Sequence, residues 1–236
     1  MITNPGPITN QLEWLPVKRE GIAFDLLGLP AGFDAYLKIL HPIGVDRSIP
    51  ITAYSFAKRT IADLNTRAAF WDKYGIANGK PEPSKLENVS YREIAASLGI
   101  AYNSEFNSET IQQFYGEWPP HLGSSIALEE AFVQQIIQIL GPETETYFYG
   151  SVEEGTYHLD NDGLPVEWLQ QGVASDLLEV YRRDSQLPTY LFAVDHSWCL
   201  YQGEWIDWVA VGCSAHVTHA LMAHPSLEVF RLSPLD

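Results

Sequence analysis

Apolar residues return every third or fourth position between Ala127 and Leu140, where Leu128, Ala131, Phe132, Ile136, Ile139 and Leu140 make one stripe. That spacing predicts an amphipathic helix, stopped by Gly141-Pro142. Ser90-Tyr91-Arg92-Glu93 has the form of a capping box and predicts a short helix through Ile94 and Leu98 that ends at Gly99. A last helix is expected over Ala215 to His224, opened by Ser214 and closed by Pro225. Elsewhere the period shortens. Thr146–Tyr149, Thr189–Val194, Trp198–Gln202 and Ile206–Gly212 are short β-branched or aromatic runs that predict strands, and another runs through Leu227 to Leu232. Asp195-His196-Ser197 and Gln202-Gly203-Glu204 have hairpin length, so the neighbouring strands are expected to be antiparallel. Toward the N-terminus, Gly21 to Leu29 predicts a short strand, and Phe33, Tyr36 and Leu37 a helical turn. Gly44 to Leu86 has helical periodicity in its middle and a loop at Gly79-Lys80-Pro81-Glu82-Pro83-Ser84. The sum is an α+β fold, an antiparallel sheet packed on helices, in one domain over residues 1–236.

Composition narrows the partners. Thirty Asp and Glu against fourteen Lys and Arg leave a net charge of −16 over 236 residues. Such a chain repels a phosphate backbone, so neither nucleic acid nor an anionic membrane is an expected partner. Cys199 and Cys213 are the only cysteines, and both sit among apolar neighbours, which fits a reducing, cytoplasmic compartment. Met1 to Trp14 lacks the basic and apolar regions of a signal peptide, and no run approaches eighteen apolar residues.

Several stretches together resemble a bacterial family of uncharacterised proteins. They are Gly32-Phe33-x-x-Tyr36-x-x-Ile39-x-His41-Pro42-Ile43, Tyr91-Arg92-Glu93-Ile94-Ala95, Gly116-Glu117-Trp118-Pro119, Asp195-His196-Ser197-Trp198-Cys199, Val211-Gly212-Cys213-Ser214 and Pro225-Ser226-Leu227-Glu228. The resemblance implies one continuous module and assigns no activity; Cys213 stands where that family has a second glycine.

Most local chemistry has a plain structural explanation. Glu93 to Ile100 imitates the first half of a helix-turn-helix, but Ala101 to Ser108 offers no Lys or Arg for DNA. His216 and His219 share a helix face opposite the stripe of Val217, Ala220 and Leu221, without an evident third metal ligand. Asp160-Asn161-Asp162-Gly163 fails the calcium-loop register, because His158 and Leu169 would fall at ligand positions, and is expected to be a hairpin turn. Asp195, His196 and Ser197 are adjacent in sequence and cannot relay protons among themselves, Cys199 and Cys213 lack basic neighbours, and Gly123-Ser124-Ser125 lacks a phosphate-loop context. No metal and no cofactor is expected.

What remains is a surface. Glu13-Trp14, Trp71-Asp72, Glu117-Trp118, Glu167-Trp168 and Glu204-Trp205-Ile206-Asp207-Trp208 set acids beside tryptophans, a composition suited to a basic partner. The expectation is an acidic binding protein, immunity- or antitoxin-like, that masks a basic protein through Asp195, Trp198, Glu204, Asp207 and Trp208. The alternative is an enzyme, such as a metal-assisted hydrolase, whose site assembles from His41, His121, Asp195 and His196; their convergence in one cleft would favour it.

Overall fold

The computed structural model describes residues 2–3, 11–15, 28–204 and 206–232. The chain runs β1 (Ala35–Leu40), β2 (Ile43–Val45), α1 (Ile61–Tyr74), β3 (Glu87–Val89), α2 (Tyr91–Leu98), α3 (Ser108–Tyr115), β4 (Leu122–Gly123), α4 (Ile126–Leu140) and β5 (Glu145–Gly150). It continues through β6 (His158–Leu159), β7 (Pro165–Val166), β8 (Trp168–Val173), α5 (Leu177–Asp184), β9 (Tyr190–Ala193), β10 (Trp198–Tyr201), β11 (Trp208–Cys213), α6 (Ala215–Ala223) and β12 (Val229–Leu232). The fold is α+β, with an antiparallel sheet packed on helices. Its residues group into two compact units, Met1–Leu40 with Phe132–Asp236, and His41–Ala131.

The first unit holds a seven-stranded antiparallel sheet in the order β12-β1-β11-β10-β9-β5-β8. Successive side chains of a strand point to opposite faces, and here the two faces bury different residues. Leu37, Ile39, Phe148, Leu191, Trp198, Leu200, Val209, Val211 and Cys213 face α4, α5 and α6, joined by Phe132, Ile136, Leu177, Val180 and Leu221. Tyr36, Tyr149, Tyr190, Phe192, Cys199 and Ala210 face the other way, onto Leu15 and Leu29, with Trp14 and Phe33 packed beside them. Cys199 and Cys213 are both free thiols, on opposite faces of the sheet. The inner strands β1, β9, β10 and β11 therefore bury apolar residues on both faces, which is why those runs look nearly continuous rather than alternating.

Two expectations near the N-terminus meet different outcomes. The turn expected through Phe33, Tyr36 and Leu37 is instead the start of β1, whose six residues are all buried between β11 and β12; pairing on both edges outweighs the local helical spacing. The strand expected over Gly21 to Leu29 falls mostly outside the described residues. Cys213 ends β11 in extended backbone and packs its thiol against the Thr218 hydroxyl at 3.4 Å. That position makes no demand for glycine.

The helix ends follow local chemistry. The Ser90 hydroxyl accepts from Glu93 N, and Gly99 closes α2 in the left-handed region at φ 68°. Only half of the capping box forms, because the Glu93 carboxylate accepts from Arg47 instead, at 3.2 Å. α1 carries the full reciprocal box between Thr60 and Asp63. In the second unit β3, β2 and β4 make a small antiparallel sheet, and the unit's buried residues include Ile43, Val45, Val89 and Leu122 of the sheet, Ile94 of α2, Ile111 of α3 and Phe106 between them. The nine residues from Gly99 to Asn107 separate α2 from α3, too many for the three- or four-residue turn of a helix-turn-helix. α3 bears no Lys or Arg. No helix among the described residues is long and apolar enough to cross a membrane.

Candidate functional site

The strand register places every candidate residue of the first unit. Asp195 and His196 make the turn between β9 and β10, where His196 N donates to Ala193 O at 2.9 Å and His196 takes φ 59°. The Asp195 carboxylate accepts from Ser197 N at 3.0 Å, and its hydrogen bonds to Ser197 hold it below the usual carboxylate range. The His196 ring stacks on Trp14 at 4.0 Å. These side chains serve the turn and the N-terminal packing.

Glu204 and Asp207 lie beyond the other end of β10. The four residues of that strand separate them from Asp195 by about 13 Å at ~3.3 Å per residue. Trp198 was expected on the binding surface and is not there; it is 2% exposed on the helix-facing side of the sheet, because its strand position points inward. Trp208 is half-buried on the opposite face, with the Lys38 ammonium 5.5 Å from its ring centroid. Its aromatic face therefore already has an internal cation. Of the five expected surface residues, Glu204 and Asp207 share an end of the sheet, and the other three are elsewhere or covered.

That end is more acidic than the expectation held. The residues between β5 and β8, and those between β10 and β11, carry Glu153, Glu154, Asp160, Asp162, Glu167, Glu204 and Asp207 and no Lys or Arg. Glu154 accepts from Tyr201 OH at 3.0 Å with one oxygen and from Glu204 N at 3.1 Å with the other. Beneath them Tyr149, Tyr190 and Tyr201 stand as direct cross-strand partners. Burial raises all three phenols, helped at Tyr149 by Glu167 and at Tyr201 by Glu154. Tyr190 OH donates to Gly28 O at 2.6 Å, whereas the fully buried Tyr149 hydroxyl has no hydrogen-bond partner within 3.5 Å.

Projecting from the same end is the hairpin β6–β7. Asp160 Oδ1 accepts from Asp162 N and Leu164 N, each at 2.9 Å, and Gly163 has φ 78°; the expected turn is the turn observed. Its root is fixed by His158, which stacks on Trp168 at 4.7 Å and approaches Asp184 at 3.3 Å. Arg183 lies over the same indole at 5.1 Å and donates to Asp184. Burial works against Asp184, but Arg183 and His158 outweigh it and hold the carboxyl low. The hairpin itself is apolar and uncovered: Leu159 is 63% and Leu164 60% exposed, and Tyr157 and Val166 are also open. The sequence signal for this was available in the apolar residues on both sides of Asp160-Asn161-Asp162-Gly163, since a two-stranded hairpin is too small to bury its own face.

His41 and His121 belong to the second unit, and Asp195 and His196 to the first. His41 Nδ1 lies 3.6 Å from Glu129. His121 is brought instead toward Asp46, a residue the sequence does not distinguish. The β2–β4 pairing Val45↔Leu122 continues one step further, with Asp46 N donating to His121 O at 2.9 Å. Both residues line a cavity of about 300 Å³ together with Val45, Arg47, Ile94 and Tyr115. Burial pushes His121 down to about 4 despite the opposing pull of Asp46. Arg47 at the same cavity pairs with Glu87 at 3.1 Å and Glu93 at 3.2 Å.

The remaining histidine pair, His216 and His219, is exposed on α6 as its apolar stripe implies. Among the described residues no three His, Cys, Asp or Glu side chains converge to hold a metal ion. Comparison with family models, with curated proteins and with solved structures finds no match to this chain.

Proposed function

We propose that this protein binds a basic protein partner through the β6–β7 hairpin and the acidic loops around it, as an immunity- or antitoxin-like protein masks a basic toxin. The observation that carries the proposal is an apolar hairpin held out in solvent and rimmed by carboxylates. Leu159, Leu164, Tyr157 and Val166 supply the apolar centre, and Glu153, Glu154, Asp160, Asp162, Glu167 and Glu204 the rim. Exposed apolar area with a polar rim is the usual anatomy of a protein-docking surface. A one-signed rim selects a partner of the opposite sign and speeds its approach. Cytoplasmic residence belongs to the same proposal, supported by two buried thiols with no pairing partner.

The test is affinity capture from the native host with three immobilised proteins: the wild type, Leu159→Ser/Leu164→Ser, and Asp195→Asn. The expected result is one basic protein retained by the wild type and by Asp195→Asn and lost from the hairpin variant. Retention of the same protein by the hairpin variant, or no basic protein on the wild type, overturns the proposal.

A further inference from the structure

The large sheet ends beside a cavity whose wall carries both signs of charge. β12 is the last strand on its side of the sheet, and an open cavity of about 470 Å³ lies between β12, the start of β1 and α6. Val217 and Leu221 fasten α6 to the core, whereas Ala215, Thr218, His219 and Met222, successive along another face of the helix, line the cavity. α6 has no Asp, Glu, Lys or Arg, and the Met222 side chain is 50% exposed there. The charges come from the strands. Arg231 of β12 stands opposite Leu37 of β1, which faces the helices. Residues opposite one another on an antiparallel pair present their side chains to the same face, so the exposed Arg231 side chain extends on the α6 side.

Asp34, just before β1, is exposed as well. Its Oδ2 accepts from Ala215 N at 3.0 Å, which fixes the carboxylate beside the first turn of α6. Asp34 and Arg231 both line the cavity, yet no ion pair joins them to each other or to another described residue. Two opposite, solvent-reachable charges therefore share one concave wall. A ligand of one sign is attracted by half of that wall and repelled by the other half, and an anion also meets the net charge of −16. A ligand carrying both signs is attracted at both places. The volume lies within the range of about 300–1,000 Å³ of small-ligand sites, and the unbranched Met222 side chain adapts to an irregular apolar group.

We infer that this cavity binds a small zwitterion of the amino-acid type, with its ammonium on Asp34, its carboxylate on Arg231 and an apolar side chain against Met222. The ammonium donates to the Asp34 carboxylate, and the planar guanidinium receives the ligand carboxylate through charge-assisted hydrogen bonds. A free amino acid and a dipeptide present that chemistry alike. The site makes no use of the β6–β7 hairpin and stands or falls without the proposed docking surface.

Met222 reports on the site directly. Met1 and Met222 are the only methionines, so a carbon-13 methyl spectrum of the methionine-labelled full-length protein holds one signal for each, and Met222→Leu assigns them. The protein is titrated at neutral pH and fixed ionic strength with L-leucine, L-alanyl-L-leucine, N-acetyl-L-leucine and L-leucinamide. The expected result is a saturable shift of the Met222 signal by leucine or alanyl-leucine, the tighter of the two identifying the source of the zwitterion. N-acetyl-leucine, which lacks the cation, and leucinamide, which lacks the anion, are each expected to bind about threefold or more weakly. Arg231→Gln is expected to weaken the zwitterion to the level of leucinamide and to leave leucinamide unchanged. No saturation by either zwitterion up to about 100 mM, or binding of the blocked compounds equal to that of leucine, overturns the inference. The wild-type comparison decides the matter even if Arg231→Gln disturbs β12.

Discussion

Two glycines show how tightly individual positions are specified. Trp168 Nε1 crosses the backbone at Gly150 to donate to Thr156 O at 2.6 Å, and a Cβ at residue 150 would overlap both groups. Gly150→Ala is therefore expected to lower stability by about 1–3 kcal/mol, read as a reduced urea midpoint with an unchanged slope; an unchanged midpoint contradicts the close approach. Gly212 is covered in the same way by the Phe33 ring, which brings together two residues from motifs far apart in the sequence. His121 makes a different prediction. Its folded value of about 4 lies below the usual 6.5, so the unfolded chain binds the proton first as pH falls. The stability that neutral His121 preserves is complete above about pH 6.5, declines as pH falls toward 4, and amounts to about 3 kcal/mol at most. Other carboxylates titrate in part of that range, so the readout is the stability difference between wild type and His121→Gln. That difference should shift in favour of the variant as pH falls from 7 to 4; a pH-independent difference would show that His121 is not held neutral.

At the scale of elements, the caps and the hairpin carry separable predictions. Ser90 supplies the hydroxyl that receives Glu93 N at 3.0 Å, and Ser90→Ala should cost about 1 kcal/mol in chemical denaturation of the second unit. Leu159→Ser/Leu164→Ser should change stability by less than about 0.5 kcal/mol, since both side chains are already in solvent; a larger loss in denaturant titration would mean the hairpin is structural. The same elements show what the sequence could disclose. α2, α4, α6 and the strands β5, β9, β10 and β11 were legible because each has a strong period, a cap or a hairpin-length connection within a dozen residues. β1 was not, because its burial comes from pairing with β11 and β12, over 160 residues away. Trp198 was misplaced for a related reason. Alternation fixes that Trp198 and Cys199 face opposite ways, but not which face receives α4, α5 and α6. Asp46 carries no local signal at all, since only its place opposite His121 makes it a buried carboxylate.

For the whole molecule the distribution of charge matters more than its total. A net charge of −16 spread evenly would specify nothing, whereas the two connections β5–β8 and β10–β11 hold seven acids and no Lys or Arg. Long-range attraction of this kind acts on the association rate and is screened over a Debye length of about 10 Å at 0.1 M salt. Stopped-flow or surface-based kinetics with the captured partner should therefore show the on-rate falling about tenfold or more between about 15 and 150 mM salt, with the off-rate nearly constant; a salt-independent on-rate would remove the acidic rim from recognition. The most direct measurement replaces Leu164, and in a separate protein Asp195, with a photo-crosslinking amino acid and irradiates the native host. Crosslinking of one basic protein from position 164 and not from position 195 is the predicted result. No crosslink from 164, a crosslink to an acidic protein, or the same product from both positions would contradict the docking surface assigned to the β6–β7 hairpin.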